Sequence, residues 1–188
     1  MCNTLSPNSA NNDVRCDDCG NRLPAANALP SSTLCPGCDA WDQLLRGLGD
    51  AEPQILGSDA TLPNLMAQTK RKAIYEMVQD LAGCGHLDAT EVDAVTASLL
   101  RREELASTGV GHGMAIPHTV HTAVTKPVVA LARSQSGIDF DSLDGKPVRV
   151  IALALCPAEQ PGEQLRVIAT IARHFREFDN RLQWFGTG

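Results

Sequence analysis

Apolar residues recur with two different periods along this chain, and the change of period divides it. From Leu65 the segment LMAQTKRKAIYEMVQDLAGCG sets Leu65, Ala73, Ile74, Met77, Val78 and Leu81 at helical spacing, with Gly83 in the place of a C-terminal cap. Asp88, with Glu91 three positions on, signals a second helix start, and beyond it Val92, Val95, Leu99 and Leu100 share one face. These two segments predict a helical hairpin. The period then shortens: VVALAR (128–133) and VRVIALAL (148–155) are apolar, β-branched runs bounded by Pro, Gly and Asp, as buried strands are. GEQLRVIATIARHF returns to the helical period with Leu165, Ile168, Ala169, Ala172 and Phe175 on one side, so a last helix is expected to cover the sheet. A short strand is expected around residues 54–56, and no internal repeat is visible. The order of elements predicts an α/β fold of two or three layers and leaves the strand order open.

The first fifty residues read differently. Residues 1–14 are rich in Asn and Ser without apolar periodicity, which predicts a flexible tail. Residues 15–50 hold Cys16, Cys19, Cys35 and Cys38 as two C-x-x-C pairs, among too few large apolar residues to fold by burial alone. Two such pairs, fifteen residues apart, have the spacing of a tetrathiolate zinc ribbon, with Gly20 and Gly37 giving the backbone freedom its tight turns need. Four protein ligands close the coordination sphere, so the expected zinc is structural; iron suits the same thiolates, and two disulfides are the bland alternative. The linker after the second pair puts the start of the main domain at residue 51, and that domain runs to residue 188.

The formal net charge of −6 speaks against a broad nucleic-acid-binding surface, which needs clustered Lys and Arg. The chain has no run of some 18 apolar residues, and its start lacks the basic and apolar regions of a signal peptide. A cytoplasmic protein without a membrane span is the expectation, and the scattered Cys2, Cys84 and Cys156 fit a reducing compartment. Cys84 and Cys156 read as small buried apolar residues, and Trp184 and Phe185 as core filling.

The chemistry is concentrated in RREELASTGVGHGMAIPHTVH, residues 101–121. Gly109, Gly111 and Gly113 alternate upstream of His118, and a glycine-rich loop can turn successive N–H groups toward an anion. A neutral imidazole is a nucleophile toward phosphorus, and the phosphorylated ring needs donors; Arg102, Ser107 and Thr108 stand nearby for that purpose. A competing reading takes His112, His118 and His121 as ligands of a hydrolytic metal, although no carboxylate lies among them as a general base. Taken singly, His112 and His121 read as solvent-facing loop residues, and His86 and His174 as structural.

RREELASTGVGHGMAIPH resembles the signature of the EIIA type-2 domain of the phosphoenolpyruvate-dependent phosphotransferase system, in the fructose/mannitol group that includes the nitrogen-regulatory PtsN proteins. The resemblance continues through KPVVALARSQSGIDFDSLDGKPVRVIALALCPAEQ and covers most of residues 55–182. It implies a mixed β-sheet flanked by helices, a phosphocarrier role with His118 as phosphoacceptor and Arg102 beside it, an HPr-type carrier as phosphoryl donor, and an EIIB or regulatory protein as acceptor. The chain departs from the pattern in three places: Thr119 stands where the family usually has Gly, Gln164 where it usually has a second histidine, and only QWFGTG follows Leu182 where a further helix is common. Gln164 can still hydrogen-bond a phosphoryl oxygen but cannot carry positive charge. That loss supports an alternative, a non-phosphorylated scaffold that binds partners through its zinc ribbon. With no attached EIIB or membrane domain, the nitrogen-regulatory type is the expectation.

Overall fold

The computed structural model describes residues 56–62 and 64–184; the tail, the four paired cysteines, the boundary at residue 51 and Phe185 lie outside these residues. In chain order the elements are β1 (Leu56–Leu62), α1 (Lys70–Gly83), a single 3-10 turn (Ala89–Glu91), α2 (Val92–Leu105), β2 (Gly109–Gly111), β3 (Met114–Ala115), β4 (His118–His121), β5 (Val128–Ile138), β6 (Val148–Pro157) and α3 (Pro161–Trp184).

β5 and β6 form the antiparallel centre of a six-stranded sheet ordered β1-β5-β6-β3-β2, with β4 also on β6. β1 runs parallel to β5, β3 and β4 run parallel to β6, and β2 returns antiparallel to β3, so the sheet is mixed. Alternate residues of the two central strands serve different helices. Val128, Ala130, Ala132, Ile151, Leu153 and Leu155 join Ile74, Met77 and Leu81 of α1 and Val95 and Leu99 of α2 in one core. The intervening Val129, Leu131, Ala152, Ala154 and Cys156 are equally buried on the other face, which α3 covers with Val167, Ile171 and Phe175. Burial on both faces is why these strands read as continuous apolar runs. It also decides for three layers over two.

Several sequence expectations shift by a few residues. The first helix starts at Lys70, not Leu65, because Leu65 N–H donates to the Arg133 carbonyl (2.8 Å) and the Glu76 carboxylate takes the Met66 and Ala67 amides (3.0 and 2.9 Å); Thr69 then caps the helix by accepting from Lys72 N. Its C-terminal glycine is Gly85 (φ +78°), not Gly83. Bonds from Gly85 N to Ala82 O and from His86 N to Leu81 O satisfy the last carbonyls around that left-handed residue. Asp88 does start the second helical segment, through the 3-10 turn, by accepting from Thr90 N at 2.9 Å. In α3 Phe175 is buried as expected, but its partners in the buried stripe are Val167 and Ile171, while Leu165 is 72% exposed and Ala169 is exposed. Apolar residues lie around most of that helix, so its sequence offers two stripes of equal period and only the sheet selects one. Cys156 is buried as expected, while Cys84 is only partly so.

Candidate functional site

His118 sits on a strand. β3 and β4 are two pieces of one extended run beside β6: Met114 lies opposite Val150 and His118 opposite Ala154, the same offset on both sides of Pro117. Proline has no N–H to give to a ladder, so regular pairing lapses there, although the Pro117 carbonyl still accepts from Ala154 N at 2.8 Å. The lapse leaves the Ile116 carbonyl to bend toward the His118 ring, whose Nδ1 lies 2.8 Å from it. A carbonyl only accepts, so Nδ1 carries the ring proton and Nε2 presents its lone pair. Burial pulls the His118 pKa below its ordinary 6.5; the Ile116 bond opposes this, the Arg102 guanidinium adds to it, and Glu103 opposes it. A neutral ring with a directed Nε2 lone pair is the state a nucleophile needs.

Arg102 lies in the last turn of α2 with Nη1 donating to the Ala106 carbonyl (3.0 Å), which among the described residues takes one of its five N–H donors. Its neighbour Glu103 is 5% exposed. Glu103 accepts from Thr108 N on both carboxylate oxygens (3.0 and 3.1 Å) and from Thr108 Oγ1 (2.6 Å), and it pairs with Lys70 at 3.4 Å. Lys70 also reaches Asp141 at 2.7 Å. Burial works to lower the Lys70 pKa, but the Asp141 hydrogen bond and the Glu103 charge outweigh it, and the ammonium is held above its usual range. Ser107 Oγ donates to the Phe140 carbonyl, which fixes the turn between α2 and β2 against the loop after β5.

The structure separates the glycines of the sequence motif. Thr108 and Gly109 are beside Ile116 and Ala115, near the His118 end, through the bond from Ile116 N to Thr108 O (3.0 Å) and the Gly109–Ala115 pair. Gly111 and Gly113 lie at the other end of the run: the four residues from Met114 to His118 already span about 13 Å of strand. Both have positive φ, as does His112 between them, and they form the tip of the β2–β3 hairpin. There the His112 amide donates to Asp144 Oδ2 at 2.8 Å, so the anion held at this tip is the chain's own carboxylate. The proposed metal ligands are dispersed likewise. His112 is at the hairpin tip, and three-residue spacing puts His118 and His121 on opposite faces of β4. His121 Nδ1 accepts from Ala123 N at 3.1 Å. Among the described residues no three His, Cys, Asp or Glu side chains converge as a metal site.

Residues 54–184 match the family described as phosphoenolpyruvate-dependent sugar phosphotransferase system, EIIA 2. The chain belongs to this family. It is a phosphocarrier component of the phosphotransferase system. Similar proteins include a fructose-specific EIIA component from Haloferax volcanii, 43% identical over 60% of this chain and 72% of that one. A nitrogen regulatory protein from Bradyrhizobium diazoefficiens is 36% identical over 66% of this chain and 80% of the relative. The crystal structure of the nitrogen regulatory protein IIA-Ntr from Neisseria meningitidis superposes with a TM-score of 0.61 at 30% identity, covering 72% of this chain and 90% of that one.

The two departures inside this EIIA 2 domain have definite places. Thr119, opposite Leu155, turns to the helical hairpin, where its Oγ1 lies 3.0 Å from Ser98 Oγ of α2. Gln164 stands one turn into α3, three residues before Val167 and seven before Ile171, and so falls on the sheet-facing stripe. His118, offset by one from Thr119, occupies that same face of β4. Among the described residues of the domain no helix is long and apolar enough to cross a membrane. Sequence reasoning missed Glu103, because the run Arg101, Arg102, Glu103, Glu104 reads as a solvated charged face; no periodic signal marks one carboxylate of the four charges as buried.

Proposed function

We propose that this EIIA 2 domain accepts a phosphoryl group on Nε2 of His118 from an HPr-type phosphohistidine carrier. It then passes the group to an EIIB-type or regulatory acceptor, or signals by its phosphorylation state. The observation that carries the reading is the bond from His118 Nδ1 to the Ile116 carbonyl, which leaves Nε2 as the nucleophile. In the transfer, the Nε2 lone pair forms the new N–P bond as the donor's N–P bond breaks. The electron pair returns to the donor ring, and the His118 proton stays on Nδ1, so no proton need leave the site. Arg102, held by Ala106, is the donor best suited to bind the phosphoryl oxygens, and Gln164, in the first turns of α3, is the candidate for a neutral second donor. Thr108 supports the site by tying it to Glu103 rather than by offering its hydroxyl.

The nitrogen-regulatory branch is favoured by the IIA-Ntr structure and the nitrogen regulatory relatives. An EIIB acceptor is suggested by a neighbour of similar fold, an enzyme IIA mannitol solved in complex with phosphorylated enzyme IIB mannitol. Cys16, Cys19, Cys35 and Cys38 form a structural zinc ribbon in this reading, a docking module outside the carrier chemistry. Incubation with phosphoenolpyruvate, Enzyme I and an HPr-type carrier tests the proposal. The expected result is an acid-labile phosphate on Nε2, seen by phosphorus NMR and absent from His118→Ala. A wild-type chain that takes no label refutes the carrier function and returns the scaffold reading.

A further inference from the structure

Among the described residues no hydrogen bond joins Glu103 to His118 directly, yet three bonded steps connect them. The carboxylate holds Thr108 by its amide and hydroxyl. The Thr108 carbonyl accepts from Ile116 N at 3.0 Å, and the Ile116 carbonyl accepts the proton of His118 Nδ1 at 2.8 Å. We propose that Glu103 is a positioning residue for phosphoryl uptake, fixing through Thr108 and Ile116 the carbonyl that orients the His118 ring and keeps its proton on Nδ1. The proposal deepens the carrier reading and rests on it for its link to phosphoryl transfer.

The geometry asks for a carboxylate. Oε1 receives Thr108 N and faces Lys70, while Oε2 receives Thr108 N and Oγ1. Every group facing it is a donor, and an amide in its place must turn an NH2 toward one of them. Ser107 also holds this turn, donating to the Phe140 carbonyl and accepting from Gly109 N, but among the described residues the amide and hydroxyl of Thr108 itself go to Glu103. Without the anchor, the Thr108 amide and hydroxyl lose their acceptor and the bond from Ile116 N to the Thr108 carbonyl loses its backing, and the lapse in pairing at Pro117 gives the Ile116 carbonyl room to turn from the ring. Which imidazole nitrogen carries the proton is set by the bond Nδ1 makes to the Ile116 carbonyl, so the nucleophilic nitrogen changes with that carbonyl.

A residue that merely stabilises the fold would lower the melting temperature and leave the ring alone, so the test reads the ring directly. Nitrogen NMR of the unphosphorylated imidazole is recorded for wild type, Glu103→Gln and Glu103→Asp, beside the initial rate of phosphoryl uptake from the HPr-type carrier. The wild-type ring is expected to hold its proton on Nδ1. Glu103→Gln is expected to show a mixture of the two tautomers and an uptake rate lower by on the order of tenfold; Glu103→Asp, which keeps both acceptor oxygens, recovers part of each. A folded Glu103→Gln protein with an unchanged ring overturns the proposal, whatever its rate. Should that variant not fold, Thr108→Val removes only the 2.6 Å hydroxyl bond and is expected to shift the ring the same way by less; no shift overturns the proposal. If wild type takes no phosphate, the carrier function fails, and the ring measurement still decides whether Glu103 orients His118.

Discussion

Thr119 offers a quantitative test of how β4, the strand that carries His118, is tied to the helical hairpin. Its side chain is 7% exposed, and its hydroxyl lies 3.0 Å from that of Ser98, a half-buried residue one helical turn before Arg102. Thr119→Val keeps the branched shape and deletes the hydroxyl. Ser98 can regain some water, so the loss is expected near the middle of the range for a net hydrogen bond, about 1 kcal/mol. Ser98→Ala leaves the more deeply buried Thr119 oxygen with only a long 3.4 Å contact to the Val120 carbonyl, and about 1–2 kcal/mol is expected. In the double variant neither hydroxyl is stranded, so its cost should fall short of the sum by about 1 kcal/mol. Urea unfolding of the four proteins measures this coupling. Additivity within about 0.3 kcal/mol would mean that the pair contributes nothing to holding β4 on α2, and would refute a tie between strand and hairpin at Thr119.

Other outcomes rest on the same geometry. Because the His118 pKa lies below its ordinary 6.5, phosphoryl uptake should be flat above that pH and fall as the ring protonates at lower pH; a rate midpoint above 6.5 contradicts the assigned environment. The unfolded histidine binds its proton more tightly than the folded one, so the stability His118 contributes is fully present above 6.5 and is lost as pH falls from there toward the folded pKa. His118→Gln should flatten that part of the pH–stability curve. Gly109→Ala would drive a Cβ against Ser142 Oγ and place it 2.9 Å from Ser142 Cα, so a loss of about 1–3 kcal/mol in urea unfolding is expected. Ser142→Gly should restore only part of it, since the backbone contact remains; full tolerance of Gly109→Ala refutes the close approach. Metal analysis of the purified chain should find about one zinc per molecule, absent from Cys16→Ser and Cys35→Ser; a metal-free wild type refutes the ribbon.

Wherever a local signal existed, the elements could be read from the chain. The apolar period gave both helices of the hairpin, the two central strands and the covering helix, because each buries a face whose spacing its own backbone geometry imposes. Boundaries moved where longer-range bonds competed with propensity, as at Leu65, whose amide goes to Arg133 of β5. The strands β2, β3 and β4 left no period to read: they have three, two and four residues, and the pairing of β3 and β4 with β6 joins residues 36 positions apart, as Met114 does with Val150. His118 and Arg102 could be singled out as candidates because phosphohistidine chemistry demands those side-chain types.

The sequence alone thus determined which residue types could do chemistry, and which segments would be helix or buried strand, since both depend on side chains and their immediate neighbours. Folding decided the rest. It sent Gly111 and Gly113 to a hairpin tip around Asp144 and kept Gly109 near the ring. It buried Glu103 out of a run of four charges and turned the Ile116 carbonyl onto Nδ1. Asp144 meets the hairpin tip and Lys70 meets Glu103 across more than thirty residues of chain, and β3 and β4 lie along a strand 36 positions away, so each arrangement is a property of two distant segments at once.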